Sequence, residues 1–283
     1  MVNIPEHEQP FYVFYYNLEK KENLEIAMNL FETSLDLKSL NINKDRFKNF
    51  LKDAIDLYKP VSYHNSDHAL NTLNTGAYFL RQLKMYTIKQ GEKMIFLLAC
   101  YLHDIGHPGS KDFKNNSVEL EKHHVRLIQQ QMTKYKDVFM YNGNNIMKYM
   151  DLFTELIYST NLLYHEDVLR KFTRKYFTEV DRTLIPKEGV GPEIKEIELK
   201  TLIKIADISA TYKSYKTFRK SSLFLNQEVQ GKAFKVCTES HQEDKDFLNM
   251  YSLPLIERFS AIFKNFKFLH ENCKLNLELL EQE

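Results

Sequence analysis

A chain of 283 residues with 39 basic and 38 acidic side chains carries a net charge of +1, too little to gather nucleic acid or an anionic membrane, so neither is expected as a partner. Eight glycines and seven prolines are too few for an architecture of strands and tight turns, and the composition predicts an all-α chain with a large core. Cys100, Cys237 and Cys273 form no CxxC pair, no apolar run is long enough for a bilayer, and MVNIPEHEQP lacks the basic-then-apolar order of a leader, so a cytoplasmic protein with reduced thiols is expected.

Phe11 to Tyr16 is an aromatic run without a helical stripe, and it is expected to dock as an extended segment. Leu24, Ile26, Ala27, Leu30 and Phe31 recur at helical spacing, and a second such set from Phe47 to Tyr58 follows Asp45, the expected N-cap. The next helix, from Tyr63, carries His64 and His68 four apart and therefore on one face. They read either as two exposed histidines or as members of a site. Met94 to Leu102 is apolar all round, which predicts a buried helix delivering His103 and Asp104 inward before Gly106, Pro108 and Gly109 stop it. A buried carboxylate needs a cation, so Asp104 has either an Arg or Lys partner or a metal ion shared with His103.

A polar loop over 109–116 leads to a helix from Val118 whose Glu121, His123 and His124 read as a solvated face. Residues 147–172 return to helix, interrupted at Ser159, Thr160 and Asn161. Residues 179–193, with Pro186, Gly189, Gly191 and Pro192, read as a loop. LKTLIKIADISATY sets Asp207 in the middle of an apolar helix, a second buried carboxylate. A hydroxyl or an Arg would answer it, and so would a metal completed by His68, His103 and Asp104. Leu255 to Leu269 reads as one long core helix.

Four clusters stand in order: Y-H-N-x-x-H-A from Tyr63, H-D-x-x-H-P-G from His103, L-E-x-H-H from Leu120 and A-D-I-S from Ala206. Together they resemble the catalytic domain of class I cyclic nucleotide phosphodiesterases, within the wider HD-domain phosphohydrolases. The resemblance implies a compact multi-helix bundle over 45–283, with 1–44 as an N-terminal extension packed on it. It further implies that His68, His103, Asp104 and Asp207 hold a tight zinc ion, Asp104 also touching a second, mostly water-coordinated magnesium or manganese ion. His107, Glu121 and Thr160 would then hold metal-bound water, and His64 would be the general acid. The implied activity opens a 3′,5′-cyclic nucleotide, cyclic AMP or cyclic GMP, to the 5′-monophosphate. An HD-type phosphohydrolase acting on another phosphoester is the alternative; a nucleotide-binding homologue without catalysis is a third reading, against which the intact ligand set argues.

The chain departs from the family pattern at Asp112, Asn161, Ala210 and Lys232, and its segment before Glu121 is shortened. Tyr63, Leu223, Asp244 and Phe247 are the expected substrate contacts, with the purine between Phe247 and Leu223. Asp244 falls where the family has a purine-binding glutamine, Gln242 lying on a different helical face. A carboxylate only accepts, which suits the adjacent donors of guanine, so Asp244 is expected to tilt the preference toward cyclic GMP.

Overall fold

The computed structural model describes residues 9–109, 118–141, 144–180, 183–187, 191, 193–230 and 239–283. In chain order the helices are α1 (Gln9–Tyr12), α2 (Lys20–Ser34), α3 (Lys44–Asp56), α4 (Ser66–Gln82), α5 (Gln90–Leu102), α6 (Glu119–Lys134) and α7 (Lys136–Phe139). They continue as α8 (Met150–Thr160), α9 (His165–Tyr176), α10 (Glu196–Asp207), α11 (Tyr215–Gln230), α12 (Glu239–Phe247), α13 (Leu253–Ile262) and α14 (Lys267–Glu281). Two antiparallel pairs interrupt them, β1 (Met140–Tyr141) with β2 (Asn144–Asn145) and β3 (Phe177–Val180) with β4 (Thr183–Pro186). The all-helical class expected from composition is the class observed. No helix among the described residues is long and apolar enough to cross a membrane.

α5 is the centre of the packing because it has no polar face: Met94 to Leu102 are all buried, with α4, α8 and α10 laid against it. Phe11 is fully buried against Tyr78, Tyr212 and Phe268, at ring distances of 4.4, 6.2 and 5.4 Å. The segment that follows runs extended across α4. Asn71 serves there as a strand-like partner, its Oδ1 accepting from Tyr15 N–H at 2.8 Å and its Nδ2 donating to Tyr15 O at 3.0 Å.

Four expectations change at this level. The N-cap of α3 is Asn43, whose side chain accepts from Arg46 N–H, and Asp45 lies in the first turn, where its charge suits the helix dipole. Part of 179–193 is the hairpin β3–β4, in register from Phe177↔Pro186 to Val180↔Thr183; the β-branched residues Thr178, Val180, Thr183 and Ile185 form it beneath turn-rich flanks. The long terminal helix breaks at Phe263, which leaves helical geometry (φ −98, ψ 82) while the apolar stripe runs on into α14. Phe11 and Tyr12 belong to a single helical turn, so the extended run begins at Val13. Asp112, Gly189, Pro192, Lys232 and Cys237 lie outside the described residues; Cys100 and Cys273 are buried free thiols.

Candidate metal centre and its histidine–glutamate pair

Asn65 decides where α4 starts. Its Oδ1 accepts from Asp67 N–H at 2.9 Å and His68 N–H at 3.2 Å, while its Nδ2 donates to Val61 O at 2.9 Å. A good cap placed there ends the preceding turn, so His64 precedes the helix and does not share a helical face with His68. The turn nevertheless brings the two rings to 5.8 Å.

α5 ends with His103 as its C-cap, and the chain folds back at once, His107 N–H donating to Asp104 O at 3.0 Å. Gly106 makes that turn at φ +75, and a Cβ there would stand 2.4 Å from Leu127 Cδ1. Gly106→Ala is therefore expected to cost about 2–4 kcal/mol from the left-handed backbone plus overpacking. A urea midpoint unchanged from wild type would refute it. Asp207 is the last residue of α10, not a mid-helix residue, because Ile208 closes the helix through Lys204 O; its carboxylate thus projects from a helix end.

Four donor atoms converge from these three segments. His68 Nε2 lies 3.3 Å from His103 Nε2, 3.0 Å from Asp207 Oδ1 and 3.4 Å from Asp104 Oδ2; His103 Nε2 lies 3.1 Å from Asp207 Oδ1 and 3.0 Å from Asp104 Oδ2. The triangle of His68 Nε2, His103 Nε2 and Asp207 Oδ1, with edges of 3.3, 3.0 and 3.1 Å, leaves a point about 2.0 Å from each corner just off its plane, the distance at which zinc holds nitrogen and oxygen, and Asp104 Oδ2 lies beside the same two imidazoles. His103 Nδ1–H donates to Cys100 O at 3.2 Å, which leaves the Nε2 lone pair facing the centre. Two carboxylates beside two inward-facing imidazoles ask for a cation. Burial opposes ionisation of Asp104 and Asp207, yet the neighbouring histidines hold both carboxyls well below the usual range.

A second set of acceptors surrounds Asp104. Asp104 Oδ2, Glu121 Oε2 and His124 Nε2 are buried without a hydrogen-bond partner among the described residues. His124 Nδ1–H donates to Ile105 O at 2.7 Å, and burial pushes the ring down to about 4, so its Nε2 is a lone pair, 4.0 Å from Asp104 Oδ1. Glu121 and His124 are therefore interior groups, not a solvated face: they sit in the first turns of α6, packed toward α8. Buried acceptors without donors, one of them 4.0 Å from Asp104 Oδ1, suit a cation on this side of Asp104. Thr160 closes α8 with its hydroxyl on Ile157 O at 2.8 Å. Lys204, 4% exposed, caps the same helix end, its ammonium donating to Ser159 O at 2.6 Å with Asn161 O at 3.3 Å and Thr160 O at 3.4 Å, and burial lowers it to about 8.

Beside these donors stands a pair that no motif announced. Glu228 on α11 accepts from Tyr63 N–H at 2.7 Å and His64 N–H at 3.0 Å through Oε2, and from His64 Nδ1–H at 2.7 Å through Oε1. Burial alone would lower the His64 pKa, but Asp104, Glu228 and Asp207 outweigh it and raise it above the ordinary histidine value. His107 stacks on His64 with ring centres 4.1 Å apart, and burial together with the His64 charge pushes it down to about 3, so it stays neutral. The only sequence signal for Glu228 was an acidic residue on the helix preceding Gln230-Gly231.

Of the expected substrate contacts, Tyr63 packs against His64 and His68, with ring centres at 4.9 and 4.7 Å. Leu223 is half-buried on α11, and Phe247, also half-buried, leads through Tyr251 (5.5 Å) to His165 (5.1 Å) in one aromatic run. Asp244 is differently engaged. Its Oδ2 accepts from Arg219 at 2.6 Å and from Ser222 at 2.5 Å, tying α12 to α11. The two-acceptor contact with guanine would have to break that ion pair, so the physical basis for a cyclic GMP preference falls away.

A sequence profile described as 3′5′-cyclic nucleotide phosphodiesterase matches residues 63–273. Among curated relatives, the mouse (Mus musculus) high affinity cAMP-specific and IBMX-insensitive 3′,5′-cyclic phosphodiesterase 8A is 27% identical over 173 residues, 52% of this chain and 21% of its own length. The Drosophila melanogaster high affinity cAMP-specific and IBMX-insensitive 3′,5′-cyclic phosphodiesterase 8 is 28% identical over 211 residues, 66% of this chain and 22% of its own. The chain thus spans about a fifth of the length of the curated relatives it matches. The crystal structure of the phosphodiesterase domain of the RhoPDE fusion protein from the choanoflagellate Salpingoeca rosetta superposes with a TM-score of 0.78 at 17% identity, covering 96% of this chain and 95% of that one, a likeness of fold.

Proposed function

Because the chain belongs to the 3′5′-cyclic nucleotide phosphodiesterase family, we propose that it is a cytoplasmic hydrolase that opens a 3′,5′-cyclic nucleotide to the nucleoside 5′-monophosphate. The observation that supports this most is the convergence of His68, His103 and Asp207, with Asp104 beside them, next to a histidine whose Nδ1–H is fixed by a carboxylate. His68, His103, Asp104 and Asp207 would hold zinc, and Asp104, with Glu121 and His124 near it, would hold magnesium or manganese. When bound, these ions polarise the phosphate and activate the attacking water. Residues 45–283 are the catalytic domain, and the described residues 9–44 of the extension before it pack on it.

The protein's own residues supply the proton. Glu228 holds His64 in one orientation, with Nε2 outward and protonated. As water adds to phosphorus and the P–O3′ bond breaks, His64 Nε2 passes its proton to O3′, which would otherwise depart as an alkoxide. His107, kept neutral, stacks on the imidazolium without competing for the proton. Phe247 and Leu223 hold the purine by apolar contact, and Tyr63 borders the phosphate end.

Protein loaded with zinc and magnesium is expected to convert cyclic AMP to 5′-AMP, with EDTA abolishing the reaction; the names of the curated relatives make cyclic AMP the first substrate to try. Turnover of acyclic phosphodiesters alone would favour the other phosphohydrolase reading, and no turnover of any phosphoester would overturn both. Asp244→Asn is expected to leave the cyclic GMP to cyclic AMP ratio of kcat/KM within about twofold of wild type, since the residue joins helices and does not read the base. A shift of tenfold would return Asp244 to the purine.

A further inference from the structure

α12 reads ESHQEDKDF, and before Phe247 it has no apolar residue. None of residues 241–247 is buried, so no apolar face of this helix holds it to the core. What holds it is polar. Arg219 Nη1–H donates to Asp244 Oδ2 at 2.6 Å and the Ser222 hydroxyl to the same oxygen at 2.5 Å, the Arg219 and Asp244 side chains each being 14% exposed. Arg219 Nε also lies 3.3 Å from Glu283 Oε2, and that oxygen lies 3.3 Å from His241 Nε2 in the first turn of α12. α11, by contrast, is anchored by the buried Phe218, and further along it presents Glu228 to His64.

Helical spacing ties this polar seat to the purine. Arg219 and Leu223 are four apart on α11, and Asp244 and Phe247 are three apart on α12, so within each helix the two share a face. The ion pair and the Leu223/Phe247 sandwich are thus successive rungs between the same two helices. We propose that Arg219 is a positioning residue for the substrate: by pairing with Asp244 it fixes the gap across which Leu223 and Phe247 hold the purine. This role rests on the hydrolase reading. Without the guanidinium, Asp244 is a half-buried carboxylate with one hydroxyl donor, and it turns toward water. Having no apolar grip of its own, α12 moves with it and the sandwich opens. The contact with the ring is made alike in the bound substrate and in the transition state, so its loss raises KM and spares kcat. Glu228 stays in place, since it belongs to the anchored helix. Both purines are affected equally, because apolar contact does not read the base edge.

Steady-state kinetics with cyclic AMP and cyclic GMP on zinc- and magnesium-loaded protein test it, beside calorimetric titration with 5′-AMP. Arg219→Met is expected to raise KM for cyclic AMP and Kd for 5′-AMP by about tenfold, with kcat and the cyclic GMP to cyclic AMP ratio of kcat/KM within about twofold of wild type. Zinc content should not change. Asp244→Ala should do the same, and the double variant should be no worse than either single one, since both act through one contact. An unchanged KM in Arg219→Met, a loss of kcat in its place, a shift of about tenfold in the purine ratio, or single effects that multiply in the double variant would each overturn the proposal. Wild-type protein that neither turns over a cyclic nucleotide nor binds 5′-AMP would overturn the hydrolase reading and this role with it; wild-type turnover with an indifferent Arg219 would overturn the role alone. Should Arg219→Met fail to fold, as judged by its thermal melt, Asp244→Ala decides by the same split of KM from kcat.

Discussion

Glu228→Gln is expected to lower kcat by about 10²–10³-fold while leaving the zinc content and the fold as they were. The substitution keeps an acceptor oxygen and the shape of the side chain but removes the charge. In the native arrangement Glu228 receives three N–H groups and, with Asp104 and Asp207, holds His64 protonated against the effect of burial. A group whose pKa is raised keeps its proton to higher pH and loses it as pH climbs through the raised value. Without the Glu228 charge that loss comes earlier, so the alkaline limb of the kcat/KM profile should move to lower pH, whereas His64→Ala should lose the limb together with most of the turnover. Activity and profile both unchanged in Glu228→Gln would show that the pair merely packs α11 against the turn before α4.

Asp207→Ala should weaken zinc by more than about 100-fold, and activity should fall with it. The carboxylate lies 3.0 Å from His68 Nε2 and 3.1 Å from His103 Nε2; alanine leaves the two imidazoles facing each other at 3.3 Å with one fewer anion to hold a cation between them. Dialysis against a buffered zinc series followed by metal analysis separates the outcomes. A variant retaining one zinc per chain at wild-type affinity would reduce Asp207 to an ion-pair partner of the histidines.

The buried helix under His103 was legible because nine consecutive apolar residues admit no other environment. Low glycine and proline likewise sufficed for the helical class. The spacing of His64 and His68 misled because periodicity does not register a cap: Asn65 satisfies two backbone N–H groups and starts the helix at Ser66, two residues after His64. Glu121 and His124 look like surface residues from their neighbours, and only the packing of α6 on α8 turns them inward. Glu228 was invisible for a different reason: its partners lie 164 and 165 positions away, and no local pattern encodes that meeting. The hairpin β3–β4 was masked by the prolines and glycines around it.

The four converging donors come from segments far apart along the chain: His68 and His103 are 35 positions apart, and His68 and Asp207 are 139. An ion held among them is a cross-link in the topological sense, closing long loops whose closure entropy the unfolded chain would otherwise regain. Its release should therefore loosen the ends of α5 and α10 and the start of α4 together rather than one at a time, and a protease should find the stripped protein a far easier substrate than the loaded one.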